Sequence, residues 1–379
     1  MLVLAPADSR AQVTFTDDFE DLDRDNDGIT DDGNETAVAE PGGINWYAIN
    51  GLTSGTTPRQ KPGLTTADDT AGIGTGNALF VEAIGSNGEF IGVLPETVEL
   101  GEGLGSTVVT SFDFRVGALL PFSGELRFGL YQDTDNQFGT ASTNTDGSPT
   151  IWGQTDGQFD RDNPGALGDL GMFTRVQIGV DTNLDGSQTR IADELNANNI
   201  AGGSGDSDLI RRANAGEFGV VNDFQNRPYR FEIEFLRAPP TDSGETIQTT
   251  LRMIDPDDNV STLTGQQPAS TDDTPTLDAI DYFVMLSTVD VDYVFDNFSI
   301  VSTPVEPLVG DYNGDGTVDA ADYTVWRDGN SPDSTVAGFT AWADNFGATS
   351  GAAAGSVPEP GAAALVTLAA AAGWRRRRG

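Results

Sequence analysis

The 379-residue chain contains no cysteine and no histidine. The first absence removes thiol nucleophiles, disulfides and thiolate metal sites. The second removes histidine-based triads and the usual zinc ligands, so hard oxygen donors are what remain for metal chemistry. Bases are scarce as well: 20 Lys and Arg stand against 59 Asp and Glu, giving a formal net charge of −39. A surface of that sign lacks the basic footprint that phosphate backbones need, which argues against nucleic acid and for divalent cations as partners. Apolar residues reach only 37%, whereas glycine numbers 46, a profile of loop-rich β structure rather than helical bundles. The missing cysteines leave export open, because a domain with a large core needs no disulfides.

Residues 12–303 alternate short β-rich runs with Gly, Asp, Asn and Pro punctuation, the spacing of a sandwich. Candidate strands are Ile44–Ile49, Ala78–Ile84, Val108–Val116, Glu125–Tyr131, Arg175–Val180, Tyr229–Leu236, Ile247–Ile254, Tyr282–Leu286 and Tyr293–Val301. Within this body only Arg190–Asn198 reads as helical. Polar and apolar residues alternate at Arg115-Val116, Arg127-Phe128 and Arg230–Phe235, so one face of each strand is expected to be wet. The opening Val13–Phe19 and the closing Tyr293–Ile300 resemble the first and last strands of concanavalin A-like jelly rolls. That resemblance implies that the two termini of the domain pair as neighbours, and it implies a fold rather than an activity.

Two features of this body bear on chemistry. Glu232 and Glu234, at i and i+2, point to one face of a strand, as a pair of glycosidase carboxylates would. Laminarinase-like members of the fold carry Glu-x-Asp-x-x-Glu, and Arg237 stands here in the third acidic place, so no catalytic residue is assigned. The aromatics Trp46, Tyr47, Tyr131 and Trp152 are either sugar-stacking platforms or core, and Asp133, Asp135 and Asn136 beside Tyr131 are a polar rim for the first case.

Residues 311–322 read Asp-Tyr-Asn-Gly-Asp-Gly-Thr-Val-Asp-Ala-Ala-Asp. Oxygen side chains fall at loop positions 1, 3, 5, 9 and 12, a glycine at position 6 permits the sharp turn, and position 7 offers a backbone carbonyl. The expected Ca2+ ligands are Asp311, Asn313, Asp315, Thr317 through its carbonyl, Asp319 directly or through water, and Asp322. Val318 is expected to brace the loop from the core side. A helix-like stretch with Tyr323 and Trp326 follows, and Phe339 and Trp342 repeat that spacing farther on. The arrangement resembles a type I dockerin over residues 309–347, with its second calcium loop missing before the second helix. The resemblance implies calcium binding and, where docking is retained, a cohesin-like receptor. Asp23, Asp25, Asp27 and Asp31 keep an Asp-x-Asp-x-Asp-Gly core and resemble a thrombospondin type 3 calcium repeat in a single copy. Asp181-Thr-Asn183-Leu-Asp185-Gly186 opens in the same way but lacks a later acid, and reads as a surface loop between strands.

The two ends carry address information. Ser9 and Ala11 are small residues at signal-peptidase spacing, so residues 1–11 are either the remnant of a signal peptide or a disordered start. At the other end Val357-Pro358-Glu359-Pro360 precedes an apolar run over 361–374 and then Arg375, Arg376, Arg377 and Arg378. As a helix that run rises only ~21 Å, short of a ~30 Å hydrocarbon core, and the basic end is a positive-inside stop. Residues 357–379 resemble the PEP-CTERM sorting signal of Gram-negative envelope proteins. The resemblance implies export, transient anchoring of the tail in the inner membrane, and processing by an exosortase-type membrane enzyme.

The resulting map is 1–11 start, 12–303 jelly-roll sandwich, 304–310 linker, 311–347 calcium module, 348–356 linker and 357–379 sorting tail with an apolar helix. The functional expectation is a calcium-stabilised envelope or extracellular protein whose sandwich binds polysaccharide or serves as structure. The alternative is a secreted glycoside hydrolase or polysaccharide-degradation component attached through the dockerin-like module.

Overall fold

In the computed structural model the described residues are 12–19, 43–48, 63–68, 73, 76–82, 88–116, 124–132, 142–143, 149–150, 170–179, 183–194, 207–222, 227–242, 244, 246–267, 276–287 and 293–350. They divide into two compact units, which part between Glu306 and Pro307.

The first unit is built of strands. In chain order these are β1 (Val13–Asp17), β2 (Asn45–Ala48), β3 (Gly63–Asp68), β4 (Asn77–Glu82), β5 (Gly88–Glu99) and β6 (Thr107–Val116). There follow β7 (Gly124–Gln132), β8 (Ser142–Thr143), β9 (Pro149–Thr150), β10 (Leu170–Ile178), β11 (Arg190–Glu194) and β12 (Ser207–Arg212). The last are β13 (Tyr229–Arg237), β14 (Ile247–Ile254), β15 (Val260–Gln266), β16 (Ala279–Ser287) and β17 (Tyr293–Thr303). One antiparallel sheet runs β15-β14-β13-β6-β17-β4-β3, with β1 also paired to β17; the facing sheet runs β12-β11-β10-β7-β16-β5-β2. The protein is thus mainly β, a two-sheet sandwich of jelly-roll type. The expected neighbouring of the first and last strands is present, with Val13 opposite Ser302 and Asp17 opposite Phe298.

Alternation explains the core. On β13 the residues Tyr229, Phe231, Ile233 and Phe235 are buried, while the intervening Arg230, Glu232 and Glu234 are not. The inward residues of both sheets meet in one apolar cluster containing Phe90, Phe112, Phe128, Phe231, Phe283 and Phe295. Trp46 sits in the same cluster, so the sugar-platform reading fails for it. Its indole lies over its cross-strand partner Gly92, where any Cβ would strike the ring. The indole N–H donates to Asp17 Oδ2 at 2.8 Å, which ties β2 to the end of β1.

Two expectations are corrected, and one open alternative is decided. Arg190–Glu194 is strand β11 rather than the start of a helix, because both of its edges are taken by β10 and β12. A segment of good helix formers yields when pairing on both sides outweighs its propensity. Arg115 is buried rather than wet, and β10 and β16 are buried on almost every residue, so the face turned away from the sandwich core is covered too. Tyr131, the other candidate platform, is fully buried and stacks on Tyr282 at 5.1 Å and 6°. Trp152 and the Asp133, Asp135 and Asn136 rim lie outside the described residues, as does the side chain of Tyr47.

The second unit, over residues 307–350, is a loop and two short helices, α1 (Ala320–Arg327) and α2 (Val336–Asn345). Among the described residues no helix is long and apolar enough to cross a membrane. Residues 1–11 and the sorting motif, Val357 to Pro360 and Arg375 to Arg378 with the apolar run between them, lie outside the described residues.

Candidate functional site

The 311–322 loop closes on itself through its acids. Asp311 Oδ1 accepts from the Gly314 and Asp315 N–H groups at 2.8 and 3.2 Å, and its Oδ2 from Gly316 N–H at 2.8 Å. Asn313 Oδ1 accepts from Asp315 N–H at 3.1 Å, and Asp315 Oδ1 from Thr317 N–H at 2.9 Å. These short-range bonds are what Asp and Asn side chains do in turns. Gly316 has φ 85°, the left-handed region in which a side chain is strained, and it is the sharp turn that the sequence placed there.

Asp322 joins loop and helix. It is fully buried, and its Oδ1 accepts from the Tyr312 and Asn313 N–H groups at 2.7 and 3.0 Å while Oδ2 accepts from Asp319 N–H at 2.7 Å. Asp319 is the N-cap of α1, its Oδ1 accepting from Ala321 N–H at 2.6 Å, and with Asp322 it forms a reciprocal capping box. Burial pushes the Asp311 carboxyl above the ordinary aspartate range, and the neighbouring Asp322 and Asp315 charges push the same way, against the Gly316 and Gly314 N–H bonds.

The helices pack aromatic side chains against each other, partly buried except for Phe339, which stays exposed. Tyr323 meets Trp342 at 5.2 Å and Trp326 meets Phe339 at 5.2 Å, so the four aromatics that the repeat picked out meet crosswise. Trp342 donates its indole N–H to Asp319 O at 2.6 Å, and Tyr312 its hydroxyl to Gly338 O at 2.6 Å, so loop and α2 are locked together. Val318 is fully buried, as its position in the loop requires.

One contribution was not foreseen. The segment after α2 forms a bridge to the loop: Val318 N–H donates to Ala348 O at 2.9 Å, Gly347 N–H to Val318 O at 2.7 Å and Ser350 N–H to Gly316 O at 2.8 Å. Thr317 is thereby paired with Thr349, and because the bridging bonds run through residues 316 and 318, the Thr317 carbonyl turns away from that segment. The sequence signal, a small Gly-Ala-Thr-Ser run, is too slight to announce it.

The donor set fits a hard cation in kind: carboxylates, an amide oxygen and a carbonyl, with a fully buried aspartate among them, and Arg327, the one base among the described residues of the unit, paired instead with Asp328 at 2.8 Å. The carboxylates are at present engaged with backbone N–H groups, and among the described residues no three Asp, Glu, His or Cys side chains converge as a metal cluster. Asp23, Asp25, Asp27 and Asp31 lie outside the described residues. Asn183, Asp185 and Gly186 fall in the connection between β10 and β11, where Asp185 Oδ1 accepts from Ser187 N–H at 3.0 Å.

On the sandwich, Glu232 and Glu234 share a face with Arg252 of the neighbouring strand. Arg252 Nη1 stands 2.6 Å from Glu234 and 3.9 Å from Glu232. A guanidinium placed between the two carboxylates makes them a cross-strand ion-pair network.

No family model matches the chain, and no curated protein matches it. Among solved structures, peanut lectin with a nine-residue peptide aligns at TM-score 0.36 and 11% identity, over 77% of this chain and 98% of that one. The metal-free lectin I-B4 from Griffonia simplicifolia aligns at 0.36 and 12%, over 77% and 99%. A PL-14 alginate lyase from Aplysia kurodai aligns at 0.37 and 12%, over 63% and 87%.

Proposed function

We propose that this is an exported, calcium-stabilised cell-envelope protein, in which the 311–347 module binds one Ca2+ and the sandwich ahead of it binds polysaccharide or serves as structure. The observation that carries the calcium reading is Asp322, a fully buried carboxylate beside Asp311 and Asp315 with no base among its contacts. Burying a charge is costly unless an opposite charge or several hydrogen bonds meet it. Ca2+ bound by Asp311, Asn313, Asp315, the Thr317 carbonyl, Asp319 and Asp322 supplies the missing positive charge and sets the loop against α1. Asp23, Asp25, Asp27 and Asp31 are proposed as a second, weaker site.

For the tail the proposal is an address: Val357–Pro360 read by an exosortase-type membrane enzyme, the apolar run as a transient inner-membrane anchor, and Arg375–Arg378 as its cytoplasmic stop. Docking of the module to a cohesin-like receptor, and with it a role in polysaccharide degradation, is the second reading. The ring contacts between α1 and α2 favour a module held by its own packing, while the exposed Val336, Phe339 and Phe346 leave an apolar surface for the second reading.

Calcium titration of the full chain, followed by calorimetry and by hydrogen exchange over 311–327, tests the leading reading. One site with slower exchange in that stretch is expected, lost in Asp315→Ala and retained in Glu232→Gln. Equal calcium response in the Asp315 variant would refute it.

A further inference from the structure

Residues 304–306, where the chain leaves the sandwich, are held by hydrogen bonds. Val305 N–H donates to Ser106 Oγ at 2.8 Å, and the Val305 carbonyl accepts from Gly103 N–H at 2.9 Å. Ser106 is fully buried and donates its hydroxyl to Gly103 O at 2.7 Å. Two glycines let the segments meet: a Cβ on Gly101 would stand 2.7 Å from Pro304 Cβ, and one on Gly103 would strike the Val305 carbonyl. Arg237, the last residue of β13, fastens the same connection, its backbone N–H donating to Ser106 O at 2.9 Å and its Nε to Gly101 O at 2.7 Å. The 100–106 connection between β5 and β6 closes in this way as a clasp on 304–306.

The strand that leads into the clasp is enclosed on both edges. β17 pairs with β6 from Tyr293, opposite Val116, to Thr303, opposite Thr107, with a bulge after Asp296. Its other edge is taken by β4 at Tyr293–Phe295 and by β1 at Phe298–Ser302. Tyr293, Phe295, Phe298 and Ile300 of the same strand stand in the core. Ser302 Oγ donates to Glu99 O at 2.7 Å, which ties the end of β17 to the end of β5 in the facing sheet.

Ladder bonds in an antiparallel sheet lie across the strands. A pull along β17 from its Thr303 end therefore strains the bonds of both edges at once and drags four core side chains past their neighbours, whereas a pull across a strand from one end breaks its bonds one after another. The clasp lies beyond the last ladder pair, so it meets a lengthwise pull before the ladder does. We infer that the sandwich is a load-bearing element, in which the 100–106 clasp and β17 hold tension entering from the C-terminal side and pass it to β5, β6 and β13. This rests on the proposal that the chain is held in the envelope through its C-terminal tail, and it gives the structural reading of the sandwich a mechanical content.

Force spectroscopy on the full chain tests this, with introduced cysteines as handles, which are unique because the chain has none of its own. Val309→Cys replaces a residue that is 60% exposed, just beyond the clasp. Paired with Arg227→Cys ahead of β13 it pulls lengthwise, because Tyr229 is level with Phe295 through Phe114. Paired with Gln12→Cys it peels β1, because Val13 is opposite Ser302 at the end where the load enters. The first unfolding event is expected to need about twice the force or more in the lengthwise pull. Ser106→Ala is expected to lower that force and leave the peeling force as it was, a directional split that a general loss of stability does not produce. Ser302→Ala, which removes the tie to Glu99, is expected to give the same split and keeps the test open if the buried Ser106 site does not tolerate alanine. Equal forces in the two directions would overturn the inference and leave the address reading standing. Recovery of the chain with its tail intact, free in the medium and absent from the envelope fraction, would overturn the address reading and this role with it.

Discussion

Asp113 on β6 is opposite Arg230 on one side and Asp296 on the other, with the Asn297 amide donating to its Oδ2 at 3.0 Å. Burial raises its proton affinity above the ordinary aspartate range, and Arg230, at 3.7 Å, and Asn297 only partly oppose this. An acid whose folded value is raised binds its proton more tightly folded than unfolded, where the value is about 3.9. Stability therefore falls as pH rises from about 4 through the folded value, and levels off above it. Urea unfolding between pH 3.5 and 7 should show that decline, and Asp113→Asn should flatten it; two parallel curves would remove the attribution. At the same scale the aromatics were ambiguous in the sequence. A tryptophan among polar neighbours looks alike whether it faces sugar or core, and only the Gly92 surface beneath Trp46 and the Asp17 carboxylate beside it decide.

Among the elements, α1 depends on its first turn. At eight residues it is too short to persist without caps and packing. Asp322 meets three backbone N–H groups at once, so Asp322→Ala leaves them without their acceptor and is expected to cost about 2–3 kcal/mol. Hydrogen exchange over 320–327 should quicken markedly in that variant while exchange over β13 stays as it was. Unchanged exchange in α1 would show that the cap is dispensable. The strand β11 teaches the converse: Arg190-Ile-Ala-Asp-Glu carries no β signature, and its state is set by β10 and β12. The alignment of Arg127, Arg175, Arg190 and Arg212 across β7, β10, β11 and β12 was equally hidden, since they are far apart in the chain and register alone sets them opposite one another.

The whole molecule comprises two units, each with its own core. Heating is expected to give two transitions, with Ca2+ raising the one reported by 307–350 and a chelator lowering it, while the sandwich transition moves little. Differential scanning calorimetry with and without chelator reads this directly, and a single transition that shifts as a whole with calcium would contradict it.

The sequence by itself determined what depends on local chemistry. The all-oxygen donor set, the 311–322 loop with its turn glycine and the β class from period-two alternation were legible because each is fixed by neighbours in the chain or by a repeated pattern, whereas the pairing of the first and last strands was only what the jelly-roll resemblance implied. Tertiary structure decided the rest: which aromatics are core, that Arg190–Glu194 is a strand, that Gly347–Ser350 braces the 311–322 loop, and that Arg252 lies between Glu232 and Glu234. Those outcomes turn on strand register and on contacts between residues distant in sequence, and a shift of one residue in register would have sent each side chain to the other face.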